Sequence, residues 1–506
     1  VSVPTQANPP PPRWIPPWLA VLPAAYVLSP LALLALPQLR RLPRPVWWLL
    51  GFYALSQQLP ALFAPEPVLA SLLALARTLL MLGLIGVGVA LGDSGRLRMM
   101  GWGLALVFLT ALIFTGLGGA DLIIQRLSHP YMTPITLGVA GAFGVWIALF
   151  CTGKLLWRVP LGLLATAVLL LSGSRGALAA MLVGVGAGFI VRRGSRVLAG
   201  VLAGAALLAG GIFLGRQLDL SAVIRLSSAD TTGRDVLWYD VLSVIQSEPW
   251  SGVGSYRLGA RLTPPGGSCE LFVSPAGSAP ECPAWVESLG NPWLIAHNVT
   301  MQQLAETGPL GLLGLFVLLG AVVLAAIQAR SALGLAVLSG LLIATLNDNT
   351  LLVPSPFFAE VFWITAGALL MHLQFTGAGI GLTATGLLTV LSLPMLSFLR
   401  SPASPQELEL TFLNAPPTAQ AAQPYRALAQ LEGAPGRYRA VWRGCLDSCL
   451  SLQTQPFEIR EGTSPVLIFE KTLFPADRQQ VELLIYPERS SESSLPLGRR
   501  RWEVSQ

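Results

Sequence analysis

The chain has 506 residues, of which 53% are hydrophobic and only 11% charged, against roughly a quarter charged in an average soluble protein. The apolar excess is concentrated in residues 18–399, so an ordinary soluble enzyme is excluded and a polytopic membrane protein is indicated. The net charge of +6 does not point to nucleic acid, because most arginines of the apolar part sit in short loops between apolar runs, where they report topology.

Residues 1–17 form a proline-rich segment expected to be extended. The first apolar run follows PPPPRWIPPW, with no charged leader and no small-residue cleavage site, and reads as a membrane helix instead of a cleaved signal. The expected spans are 18–36, 46–64, 67–91, 101–118, 134–150, 159–173, 177–191, 197–214, 309–329, 331–346, 357–375 and 380–399, about twelve in all at the ~20 residues a helix needs to cross a bilayer. Arg40, Arg41, Arg44, Arg96, Arg98, Lys154, Arg158, Arg192, Arg193, Arg196 and Arg330 fall in loops on one side, which the positive-inside rule makes cytoplasmic. The N-terminus, a long loop over 215–308 and the tail 401–506 are then expected outside.

The five cysteines bear on the same topology. Cys269 and Cys282 lie in the long loop, Cys445 and Cys449 form CLDSC in the tail, and Cys151 stands alone at an expected cytoplasmic helix end. Two exterior pairs and an interior singleton suit an oxidising exterior and two disulfides. The C-x3-C pair could also bind a metal, although no His or further Cys clusters near it. In the tail, ELELTFL, GRYRAVWRG, PVLIFEKTLF and VELLIYP are strand-like runs between Pro/Gly turns, the pattern of a small β-sandwich. The expected domains are therefore 1–17, the transmembrane domain 18–400, and an exterior β-rich domain 401–506.

Three segments carry polar chemistry. LLLSGSRGALAAM places Arg175 between two apolar runs. An arginine at that depth must face water, protein or an anion, and Gly173 and Gly176 permit a tight exterior hairpin; a snorkelling loop arginine is the plainer alternative. In the long loop, RLSSADTTGRDVLWYD sets Arg234 at the first turn of a predicted helix, where a cation opposes the helix dipole unless an anion is bound; Arg225 joins it as a candidate phosphate ligand. In AHNVTMQQLAETGPLG, His297 precedes a helix capped by Asn298, with Glu306 nine residues on. An imidazole there suits a general base for a hydroxyl. Arg126 and His129, in RLSHPYMTP, lie on the same expected face, with His129 reading mainly as a turn residue. Arg77, inside an apolar run, should face protein or a cavity. No Walker A loop, H-E-x-x-H or G-x-S-x-G motif occurs, and with three histidines in the chain no zinc site is expected.

In this order, SGSRGA at 172–177, GRDVLW at 233–238 with EPWSGVGSY at 248–256, and AHN followed by LAETG resemble the O-antigen ligase and polymerase superfamily. The resemblance covers mainly residues 120–375 and does not account for the tail. It implies a GT-C-type, metal-independent, inverting glycosyltransferase without cofactor. Such an enzyme takes a glycan from a polyprenyl-diphosphate carrier at the outer face of the bacterial cytoplasmic membrane, in contact with membrane lipid and not with nucleic acid. Arg175 and Arg234 would hold the diphosphate and His297 would be the base. The acceptor would be a glycolipid (ligase), a growing glycan (polymerase) or a protein hydroxyl. A transporter of lipid-linked glycans is the non-enzyme alternative.

Overall fold

The structure, a computed structural model, describes residues 10–117, 126–191, 234–262, 295–353, 355, 357–400, 409–416, 418, 424–432, 436–445, 449–460, 464–472, 478–487 and 498–505. The chain divides into two compact units. One comprises Val1–Ala229 and Trp238–Met395, the other Asp230–Leu237 and Leu396–Gln506.

The first unit is helical. It runs α1 (Ile15–Val21), a 3-10 helix (Tyr26–Arg41), α2 (Arg44–Ala61), α3 (Pro67–Leu91), a short 3-10 helix (Ser94–Met100), α4 (Gly101–Leu117), α5 (Pro134–Phe150), α6 (Leu155–Leu171) and α7 (Arg175–Val191). Then come α8 (Arg234–Ser247, in this unit from Trp238), α9 (Leu258–Leu262), α10 (Val299–Ala329), α11 (Ala332–Ala344), α12 (Phe358–Leu370) and α13 (Gly377–Arg400, in this unit as far as Met395). Among the described residues, four helices are long and apolar enough to cross a membrane: Pro67–Leu91, Ser94–Leu117, Val299–Ala329 and Gly377–Leu396.

Three of the expected spans, 18–36, 331–346 and 357–375, are modified. Residues 18–36 are not one α-helix, because Pro23 and Pro30 break the α-helical ladder; α1 ends at Val21, and the chain continues as a 3-10 helix tied back by Trp18 Nε1 donating to the Leu28 carbonyl at 3.0 Å. Helices α11 and α12 have 13 residues each, about 20 Å of helix, which is short for a bilayer core of about 30 Å. The expected span 197–214 lies outside the described residues.

Small residues let the helices approach closely, as membrane helix pairs do. A Cβ on Gly88 of α3 would stand 1.9 Å from the Ile364 carbonyl of α12, and one on Gly367 2.1 Å from that of Ile85, so this crossing admits nothing larger than glycine. Against α5, the turn between α6 and α7 is seated the same way, since a Cβ on Gly138 would meet Ser172 Oγ at 2.6 Å.

The second unit carries seven described strands: β1 (Glu409–Asn414), β2 (Pro424–Glu432), β3 (Gly436–Cys445), β4 (Cys449–Ile459), β5 (Val466–Thr472), β6 (Arg478–Pro487) and β7 (Gly498–Ser505). They form antiparallel sheets of order β1-β2-β5 and β4-β3-β6-β7. The two sheets share one core, in which Trp442 of β3 stacks on Phe469 of β5 at 5.0 Å between ring centres. Strands β2, β4 and β7, over PYRALAQLE, CLSLQTQPFEI and GRRRWEVS, have no counterpart among the expected runs.

Candidate active site

The α6–α7 turn is local chemistry first. Ser172 Oγ bonds the Leu169 carbonyl at 2.7 Å and accepts from Ser174 N at 3.2 Å, and Gly173 takes φ +60, the left-handed conformation that favours glycine. Helix α7 then starts at Arg175, whose side chain is half-buried. Arg126 reinforces the turn by donating from Nε to the Ser172 carbonyl at 2.6 Å. Gly176 plays a different part from Gly173: a Cβ there would lie 3.7 Å from Asn347 Cβ, an ordinary contact. It places the first turn of α7 against the segment that follows α11.

That segment, Asn347-Asp348-Asn349, is the feature the sequence reading passed over. Asp348 Oδ1 accepts from Asn349 N at 2.8 Å and Asn349 Oδ1 from Leu352 N at 3.2 Å, so the loop is shaped by its own side chains. Asp348 Oδ1 also lies 3.3 Å from His297 Nδ1, with the two side chains 21% and 33% exposed. The imidazole therefore has a carboxylate partner and remains open to a ligand. An acid in a membrane half so poor in charge is the signal that could have found it.

His297 itself sits at φ +49, an unfavourable conformation for a side chain larger than glycine. Its neighbours fix it. Asn298 caps α10, its Oδ1 accepting from Met301 N at 3.0 Å, and its Nδ2 reaches the Leu346 carbonyl at 3.4 Å. Val299 N donates to the Thr345 carbonyl at 3.3 Å. On the other side, Trp238 of α8 donates from Nε1 to the Ala296 carbonyl at 2.8 Å. The GRDVLW and AHN motifs thus meet through Trp238, while the SGSRG and AHN motifs meet at the loop after α11.

Glu306 points elsewhere. It is buried in an ion pair with Arg77, at 2.6 Å between Oε2 and Nη1, and the two side chains are 1% and 3% exposed. The Arg77 guanidinium lies over the Tyr256 ring, 4.0 Å from its centre. Burial pushes the Tyr256 phenol up to about 12, against the opposing pull of Arg77. The hydroxyl keeps its proton and donates to the Val353 carbonyl. The EPWSGVGSY segment runs along the kink of α10, with Val253 N donating to the Ala305 carbonyl and Gly254 N to that of Glu306, both at 2.9 Å.

His129 belongs to a separate cluster. Its Nε2 bonds Thr110 Oγ1 at 3.1 Å, its Nδ1 accepts from Tyr131 N at 3.4 Å, and its ring meets Tyr131 edge-on. Burial lowers its pKa below the usual histidine value. Arg234 opens α8 as the sequence suggests, but its side chain, together with Arg225, Cys269 and Cys282, lies outside what is described. Cys445 and Cys449 are backbone register partners at the β3–β4 hairpin, and their side chains also lie outside it.

Apolar helices long enough to cross a bilayer make this an integral membrane protein. Among curated proteins no sequence matches the chain. Residues 160–316, which include the SGSRG, GRDVLW and AHN motifs, match the family model described as O-Antigen ligase, and this match supports the O-antigen ligase and polymerase superfamily for the chain.

Proposed function

We propose that the protein is a membrane glycosyltransferase of O-antigen-ligase type, built on about twelve membrane-spanning segments. It would move a glycan from a polyprenyl-diphosphate carrier to an acceptor hydroxyl at the outer face of the bacterial cytoplasmic membrane. The observation that carries the reading is the partly exposed His297, oriented by Asp348 in the loop against which α7 begins. A carboxylate on Nδ1 holds the imidazole with Nε2 free to take a proton and stabilises the imidazolium that results.

The acceptor oxygen attacks the anomeric carbon while His297 Nε2 takes its proton. The bond from that carbon to the carrier's diphosphate oxygen breaks, and the lipid diphosphate leaves with the electron pair. Direct displacement inverts the anomeric centre. Arg175, with Arg234 and Arg225, would neutralise the charge growing on the diphosphate without needing a metal. Polymerisation and protein glycosylation use the same step with a different acceptor.

Purified protein, lipid-linked donor and acceptor test the reading. His297→Ala is expected to lower kcat by about 10²- to 10⁴-fold, and Asp348→Asn by at least about tenfold, because an amide selects the wrong tautomer. Arg175→Lys should raise the donor KM, since an ammonium cannot form the bidentate phosphate contact. Full transfer by His297→Ala would refute the base assignment.

A further inference from the structure

The His297–Asp348 pair lies near the ends of a buried polar frame, which draws Gln302 and Glu306 from the AHN–LAETG segment and Tyr256 from EPWSGVGSY. Ala296, next to His297, donates its N–H to Gln302 Oε1 at 2.7 Å, and Gln302 Nε2 donates to Glu306 Oε1 at 2.7 Å. Glu306 pairs with Arg77, Arg77 covers Tyr256, and Tyr256 donates to the carbonyl of Val353. Val353 lies five residues after Asp348 in the segment that follows α11. The frame therefore runs from Ala296, the neighbour of His297, through α10 and α3 to the segment that carries Asp348.

Two observations indicate that its role is positional. First, His297 and Tyr256 both hold left-handed backbones, at φ +49 and +62. Such conformations cost on the order of 1–3 kcal/mol and persist only where surroundings over-determine them. Ala296 is gripped on both sides, by Gln302 at its N–H and Trp238 at its carbonyl. Second, a fully buried ion pair is poor value as plain stabilisation, because apolar replacements of similar volume often do as well or better. Its chemistry is matched to fixing separate segments in register.

We infer that Gln302, Glu306, Arg77 and Tyr256 are positioning residues that set the His297–Asp348 geometry from behind. This rests on the general-base reading of His297. Gln302→Met removes the bonds to Ala296 and Glu306 but leaves the Arg77–Glu306 pair. It is expected to lower kcat by about 10- to 100-fold, the scale of a small misplacement of a catalytic group, with the donor KM within about twofold of its original value. Placed in His297→Ala, it should lower the residual rate no further, since it acts through the imidazole. With only three histidines in the chain, the imidazole NMR signals of His297 can be assigned by difference, and they should shift in Gln302→Met while those of His372 stay.

A second variant covers the case in which Gln302→Met fails to fold. Arg77→Met with Glu306→Leu removes both charges together, so it should fold with a thermal midpoint close to that of the unaltered protein and still show the fall in kcat. A raised KM at unchanged kcat, or full activity in both variants beside an inactive His297→Ala, would overturn the positioning role alone. Full activity in His297→Ala would overturn the base reading and this inference with it.

Discussion

At the scale of single residues, the contrast between His297 and His129 is one of surroundings. His297 has a carboxylate on one nitrogen and an open face; His129 is buried against Thr110 and Tyr131. Burial disfavours the imidazolium, so the folded pKa of His129 lies below its unfolded value of 6.5. The unfolded chain then takes up a proton before the folded one does. The contribution of His129 to stability is complete above pH 6.5 and is lost as pH falls through 6.5 toward the lower folded value. Thermal unfolding in detergent should show a midpoint that falls between pH 7.5 and 5, with a shallower fall in His129→Gln; equal falls would contradict this. The same scale shows what the sequence could and could not disclose. His297 and Arg175 were legible because a polar group in an apolar setting needs a reason. Asp348 is marked in the sequence only as a rare acid; its role is not, since its partner is 51 positions away and only the packing of α11 beside the start of α10 brings them together. Gln302 gave no signal at all, because an uncharged amide in a helix fits equally well facing solvent, lipid headgroups or a neighbour.

At the scale of elements, α10 departs most from its sequence pattern. The apolar run begins at Pro309, yet the helix begins at Val299 and is kinked at Gly308, where φ +62 and ψ −169 leave the helical region. That conformation is open essentially to glycine alone. Polar residues fill the turns before the kink: Gln303 Nε2 bonds Gln57 Oε1 and Thr307 Oγ1, each at 2.6 Å, and Gln57 Nε2 reaches the Gly311 carbonyl at 3.0 Å. Hydropathy registers only the apolar half; the start of the helix is legible instead in Asn298, which caps it. Gly308→Ala tests the kink. An added Cβ would lie 2.0 Å from the Trp250 carbonyl, and the backbone alone would cost about 1–3 kcal/mol. The variant should unfold at lower temperature and lose transfer activity, whereas Gly176→Ala, with its 3.7 Å contact, should keep its stability. An unchanged midpoint in Gly308→Ala would show that the kink is not required.

At the scale of the whole molecule, the question is whether the helical unit passes a substrate through or works on it at one face. A transporter of lipid-linked glycans needs polar groups that its cargo can reach along a path between helices. The buried acids and bases described in this unit are engaged with neighbouring groups: Arg77 pairs with Glu306, and Glu360 accepts from the N–H and the hydroxyl of Ser355 at 3.2 and 2.8 Å. The open acid–base pair, His297 with Asp348, sits at helix ends, where α10 begins and α11 has finished. That distribution favours chemistry at one face of the unit over transit through it. It also sets a physical expectation about metals, because guanidinium groups can carry the diphosphate charge that a divalent ion carries in other transferases. Protein in detergent micelles, given lipid-linked donor and acceptor, should therefore transfer glycan without a sealed membrane, and added EDTA should change the rate by less than about twofold. A requirement for closed vesicles would favour transport, and loss of activity in EDTA with recovery on adding magnesium would overturn the arginine clamp. The product of the same reaction separates the remaining readings. A single block moved to a non-carrier acceptor marks a ligase, a ladder of carrier-linked chains marks a polymerase, and glycan on a polypeptide marks protein glycosylation.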